Sequence, residues 1–204
     1  MSSPLVALDV AILLPSETAT SVELLNKQLK AAPEGFRFDD RHLPHISLVQ
    51  QFSPTNELNA IQETIRRVIW DHPPFELTLV AASTNETTAS LTVTPSSELK
   101  TLHRRLMDQL ATFDVGVGDN SAFSSLDNNL ADSPRPRDIR WVSQFRTEAA
   151  YEAYSPHITL GIGTLGAKFP KTTFTASVLA LCKLGRFCTC QEVLASWEFS
   201  TPIA

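Results

Sequence analysis

One short pattern, Pro-His-Ile-[Ser/Thr]-Leu, occurs twice in this chain. It stands in "LPHISLVQQF" from Leu43 to Phe52 and again in "YSPHITLGIG" from Tyr154 to Gly163. Each copy reads as a buried strand entered through a proline, because proline holds the residue before it extended and the apolar positions alternate. A buried strand has no need of a histidine, yet both copies carry one, His45 and His157, 112 residues apart. Side chains at i and i+2 of a strand share a face, about 6.6 Å apart along the chain. His45 therefore lies beside Ser47 and His157 beside Thr159, while Ile46, Leu48, Ile158 and Leu160 face a core.

The elements around the two copies repeat in outline. Leu5 to Leu14 reads as a strand stopped by Pro15; Ser16 is placed to cap a helix with Val22, Leu25 and Leu29 at helical spacing. The first motif strand, near residues 44–52, follows. A second helix carries Leu58, Ile61, Ile65 and Ile69, and strands follow at Phe75 to Ala81 and in "ASLTVTP". Ser96 caps a third helix striped by Leu99, Leu102, Leu106, Leu110 and Phe113. "GVGDNSAFSSLDNNLADSPRPRD" reads as a long polar loop and "IRWVSQF" as a strand. The second motif strand, near residues 155–162, comes next, and two closing strands fill Ser177 to Leu184 and Val193 to Phe199. We read a single domain over residues 1–204, of α+β class: a duplicated bilobal fold with two antiparallel-rich sheets facing across a central cleft and helices outside.

Facing motif strands would bring two imidazoles and two hydroxyls into one cleft. That set suits phosphoryl transfer without a metal. In-line displacement at phosphorus needs a base on the entering side and an acid on the leaving side. Histidine has an ordinary pKa near neutrality and can serve as either. The hydroxyls can donate to non-bridging oxygens, where negative charge is held. Opening a 2′,3′-cyclic phosphate fits, as does its reverse through a 2′-5′ bond; pseudo-symmetry leaves open which histidine is the base.

Two H-h-[ST]-h motifs (h, hydrophobic) at this separation resemble the two-histidine (2H) phosphoesterase superfamily, which includes the bacterial 2′-5′ RNA ligases, also regarded as RNA 2′,3′-cyclic phosphodiesterases. The resemblance implies a catalytic pair, His45 and His157, with Ser47 and Thr159 binding phosphate. It implies a cyclic nucleotide, a 2′-5′ oligonucleotide or a short RNA as substrate, and no cofactor. Relatives often place a basic residue where this chain has Ile162, so a cation near the phosphate would come from elsewhere, such as Lys168 or Arg41. Its lack favours a small substrate over a large RNA. A 3′-5′ exonuclease, a 2′-5′ RNA ligase and a non-catalytic nucleotide-binding module remain open on the same residues.

The remaining features are read more plainly. Tyr154 and Phe52 flank the motif strands and offer flat apolar faces, for a base or for packing. Trp141 and Trp197 are read as core, His42 as a surface residue, His72 as a helix-end residue and His103 as solvated. "PRPRD", Pro134 to Asp138, is read as a solvated turn. A net charge of −5 excludes a protein that coats long nucleic acid, though not one with a local cationic pocket. Cys182, Cys188 and Cys190 are an odd number, and no second Cys or His pair near Cys188-Thr-Cys190 completes a zinc set, so they read as small buried hydrophobes and no metal is expected. No basic leader precedes the first apolar run, which Asp9 interrupts; a monomeric, intracellular, most simply cytoplasmic protein is expected.

Overall fold

The computed structural model describes residues 3–30, 35–85, 88–124, 133–165 and 169–200. Among the described residues, eight strands form two four-stranded antiparallel sheets. The strands are β1 (Leu5–Leu13), β2 (His45–Pro54), β3 (Phe75–Asn85), β4 (Thr88–Val93), β5 (His157–Ile162), β6 (Thr172–Ala176), β7 (Val178–Leu184) and β8 (Cys190–Glu198). The helices are α1 (Ser16–Gln28), α2 (Leu58–Ile69), α3 (Ser97–Leu110) and α4 (Pro136–Gln144). One sheet has the order β2-β1-β7-β8 and the other β5-β4-β3-β6. Both motif strands are thus edge strands, and β2 and β5 are in contact where the lobes meet.

The duplication holds, but the lobes are not the two halves of the chain. β7 and β8 return to the sheet that β1 and β2 begin. Register makes the equivalence explicit. His45 and Ser47 pair with Leu13 and Ala11, as His157 and Thr159 pair with Thr92 and Ser90. In β2 the ladder then passes over Leu48, and in β5 over Leu160. Each motif strand therefore has a β-bulge three residues after its histidine, which leaves one residue unpaired and bends the strand.

Each bulge is held by a helix that follows a strand of the other sheet. α3, which follows β4, packs on β2 and sends buried His103 to it, where its Nδ1–H donates to the Leu48 carbonyl at 2.7 Å. α1, which follows β1, packs on β5 and sends buried Asn26 to it, where its amide donates to the Leu160 carbonyl at 2.6 Å. Asn26 also donates to the Phe36 carbonyl and accepts from the Phe38 N–H. Gly161, at φ +128°, follows the second bulge; an L side chain rarely adopts that backbone, and its Cβ would press within 3.4 Å of the Asn26 amide. His103 is therefore not solvated. Its Nε2 accepts the Tyr151 N–H at 2.8 Å, its ring stacks on Tyr154 with centroids 3.8 Å apart, and burial first of all lowers its pKa.

Two further expectations change. "IRWVSQF" lies in α4 and the π-type turn after it, not in a strand. Pro136 takes the first helical position and the Asp138 carboxylate accepts the Arg135 N–H at 2.8 Å. Asp138, Val142 and Phe145 then bury one helical face. "PRPRD" is accordingly the start of a helix, not a turn. Of the long polar loop, residues 125–132 lie outside the described residues. Ser96 caps α3 as expected, accepting the Leu99 N–H at 3.1 Å, whereas Ser16 makes no cap and Pro15 holds that position.

Replacing Asn26 by leucine keeps its approximate size and orphans the Leu160 carbonyl and two other buried backbone groups. Urea unfolding is expected to show a loss of roughly 1–3 kcal/mol per group left unsatisfied; a variant as stable as the parent would contradict the bracing role.

Candidate active site

Both motif histidines open onto one cleft of about 680 Å³. His45 Nδ1 lies 2.7 Å from the Leu43 carbonyl and His157 Nδ1 lies 2.8 Å from the Ser155 carbonyl. A carbonyl only accepts, so in both rings Nδ1 carries the hydrogen and Nε2 is left for other partners. Each acceptor is two residues upstream, across the proline whose ring keeps that stretch extended. The same local sequence thus sets the same tautomer twice.

The surroundings are not the same twice. Ser47 Oγ donates to buried Asp9 at 2.6 Å, so its hydrogen is turned away from the cleft. Gln50 donates to the same Asp9 oxygen at 2.7 Å and to Ser47 Oγ at 3.1 Å. Asp9 also lies 3.5 Å from His45 Nε2. Burial opposes the charged form of His45, but the nearby Asp9 carboxylate and the Leu43 carbonyl outweigh it and raise its pKa above the ordinary value. His157 is exposed, and half-buried Thr159 makes no side-chain hydrogen bond among the described residues, so its hydroxyl is available to a ligand.

The cleft wall on the second lobe is a hydroxyl surface. Thr88, Ser90 and Thr92 alternate on β4 with buried Ala89, Leu91 and Val93, and Ser83 adds a fourth hydroxyl, 3.2 Å from that of Ser90. Period-two alternation carries this signal, since three hydroxyls recur at every second place beside a buried face.

The flanking aromatics are reassigned. Phe52 is fully buried: it packs edge-on against Phe123, and the segment above it comes so close that a Cβ on Gly118 would sit 2.3 Å from the ring. It has no face to offer a base. Tyr154 reaches the cleft, but one face is taken by His103 and its hydroxyl donates to the Ser47 carbonyl at 2.9 Å, tying β2 to the entry of β5. The open aromatic is Trp141, 42% exposed on the cleft wall with its edge against Phe145. Val142 of α4 and Phe145 just after it turn to the core and Trp141 does not; a strand reading of that stretch hides this.

Cations come from α4. Arg135 and Arg137 line the cleft. Arg135 pairs with Asp138 and lies 4.0 Å above the Phe187 ring, while Arg137 is exposed. Ile162 lines the cleft as an apolar residue. Arg41 is not among the lining residues, and Lys168 lies outside the described residues.

Asp9, His45 and Cys190 place one donor atom each within 4.8 Å of one another, the one such trio among the described residues. Two of these donors are poorly placed for a metal. One Asp9 oxygen accepts from Ser47 and Gln50, and burial, then a hydrogen bond with Cys182, raises the Cys190 pKa so that it stays a thiol. A metal would need a thiolate there. No helix among the described residues is long and apolar enough to cross a membrane.

Residues 15–179 match a model of the 2′-5′ RNA ligase superfamily. The fold is shared with TT0787 of Thermus thermophilus, at a TM-score of 0.60 and 14% identity over 97% of this chain and 100% of that one. Escherichia coli LigT complexed with NADP+ superposes at 0.58, with 17% identity over 96% of this chain and 98% of that one. LigT complexed with 3′-AMP superposes equally well, at 0.58, with 18% identity over 98% and 100%. Identities this low speak for the fold alone. No curated protein matches the sequence.

Proposed function

Because the chain belongs to the 2′-5′ RNA ligase superfamily, we propose that it is a metal-independent phosphodiesterase that hydrolyses 2′,3′-cyclic phosphates or 2′-5′ linkages of nucleotides or short RNA. The observation that carries this reading is the matched pair of Nδ1–H···O=C bonds, which gives His45 and His157 the same working nitrogen in one cleft. One histidine takes a proton from water as its oxygen attacks phosphorus. The other gives a proton to the departing ribose oxygen. The free hydroxyl of Thr159 donates to a non-bridging oxygen; Ser47, whose hydrogen is held by Asp9, acts through the carboxylate instead.

The lining residues support a small nucleotide. The cleft volume of about 680 Å³ falls in the usual range for small-ligand pockets, roughly 300–1,000 Å³. Trp141 offers a base a stacking face, Arg137 offers charge to a phosphate, and the β4 hydroxyls suit ribose or phosphate oxygens. LigT is known in complexes with 3′-AMP, ATP, phosphate and NADP+, ligands of the kind these groups would accept. Both histidines come from one chain, so a monomer suffices.

A panel of 2′,3′-cyclic mononucleotides, 2′-5′ dinucleotides and cyclic-phosphate-ended RNA tests this directly. Turnover is expected to survive a chelator and to fall by about 10²–10⁴-fold in His45→Ala and in His157→Ala. Full activity in either variant, or loss of activity with chelator, would refute the mechanism.

Base stacking on an aromatic is worth about 1–3 kcal/mol. Trp141→Ala is therefore expected to raise KM roughly tenfold with little change in kcat, whereas Phe52→Leu should leave KM within about twofold. Steady-state kinetics on the best panel substrate would measure both, and an unchanged KM for the Trp141 variant would remove the stacking role.

A further inference from the structure

The pseudo-twofold relation that repeats the histidines does not repeat their neighbours, and at one pair of positions the difference is one of charge. In the first lobe Asp9 of β1 pairs with Gln50 of β2. By the same register the second lobe has Thr88 of β4 paired with Ile162 of β5. A carboxylate and an amide in one lobe are thus a hydroxyl and an aliphatic chain in the other. Asp9 is fully buried, and a buried carboxylate is costly unless paired.

Its partners on hand do not neutralise it. One oxygen accepts from two neutral donors, Ser47 and Gln50. The other has no partner among the described residues. The group in ion-pair range that can carry a positive charge is His45, with Nε2 at 3.5 Å. That distance is longer than a well-formed N–H···O bond. The carboxylate therefore favours a proton on Nε2 without capturing it, and the proton stays deliverable to the cleft. The remaining groups near the ring do not offer the same charge: Cys190 on β8 is pushed toward its neutral thiol, first of all by burial. Across the cleft stand Arg135, Arg137, Asp138, Glu148 and His157, with Asp138 taken by Arg135.

We propose that Asp9 is a positioning residue that breaks the symmetry of the histidine pair, holding His45 as the protonated member and so making it the general acid, with His157 the base. This rests on the phosphodiesterase reading above. Water then gives its proton to His157 Nε2 as the water oxygen bonds to phosphorus. The bond from phosphorus to the ribose oxygen breaks, and that oxygen takes the proton from His45 Nε2. One proton enters the pair and one leaves it, and exchange with solvent restores both rings.

The test is Asp9→Asn, followed in two ways on the full chain. Histidine-labelled protein titrated by NMR without substrate should show His45 above the ordinary histidine pKa in the parent and below it in the variant. The alkaline limb of the kcat/KM profile should move to lower pH while the acid limb stays. For a fall of about one pKa unit, the loss of turnover would be up to roughly tenfold greater at pH 8 than at pH 6. An ordinary or lowered His45 pKa in the parent would overturn the inference, and needs no folded variant. So would an equal loss of turnover at every pH with both limbs unmoved, the mark of a merely structural aspartate. Because the titration needs no substrate, a panel without turnover would defeat the functional reading and leave this measurement standing.

Discussion

The cleft depends on a pair of helix-to-strand braces, one on each motif strand. Each motif strand is an edge strand, bent by a bulge three residues past its histidine, and a bulged residue leaves a carbonyl that the ladder does not use. A helix that follows a strand of the other sheet supplies the missing donor: His103 for Leu48 and Asn26 for Leu160. A buried carbonyl without a partner costs more than a typical hydrogen bond returns. Each motif strand is therefore fully satisfied only once the helix that follows a strand of the other sheet packs on it. The bonds that relieve the bulges also hold the two histidines toward a common space.

On that frame the chain builds a site whose symmetry is partial. The proline before each histidine repeats, and with it the Nδ1–H bond to the carbonyl two residues back. The walls do not repeat. The first lobe sets a buried carboxylate, an amide and an engaged serine behind its histidine. The second sets alternating hydroxyls and a free threonine around its own. A repeated motif on unequal backgrounds thus gives two groups of like chemistry unlike surroundings, as the proposed acid–base pair requires.

Much of this is legible in the chain. The motif strands, the stripes of α2 and α3, and the alternation of β3 and β4 follow from periodicity, because core faces recur at the spacing of the element that carries them. The braces leave a mark as well. Val22, Leu25 and Leu29 flank Asn26 at the same spacing as Leu99, Leu102 and Leu106 flank His103. A polar residue inside an apolar stripe, repeated in equivalent helices, signals a buried hydrogen bond, and reading His103 as solvated misses it. α4 reads wrongly as a strand because seven residues with mixed apolar spacing fit either period. The Pro136 start and the Asp138 at its third position are the better guide.

Local features of the chain set two histidines, each beside a hydroxyl on a strand, through the proline and the pleat, and the nearest carbonyl then gives both rings one tautomer. Tertiary structure decided what surrounds them. The return of β7 and β8 to the first sheet, the burial of Phe52 under a neighbouring segment, the opening of Trp141 to the cleft and the placing of Asp9 behind His45 depend on contacts between residues far apart in the chain. Periodicity tells which face of an element is buried and not what is buried against it. An aspartate in a hydrophobic strand therefore looks like an interruption until the fold puts an imidazole 3.5 Å away.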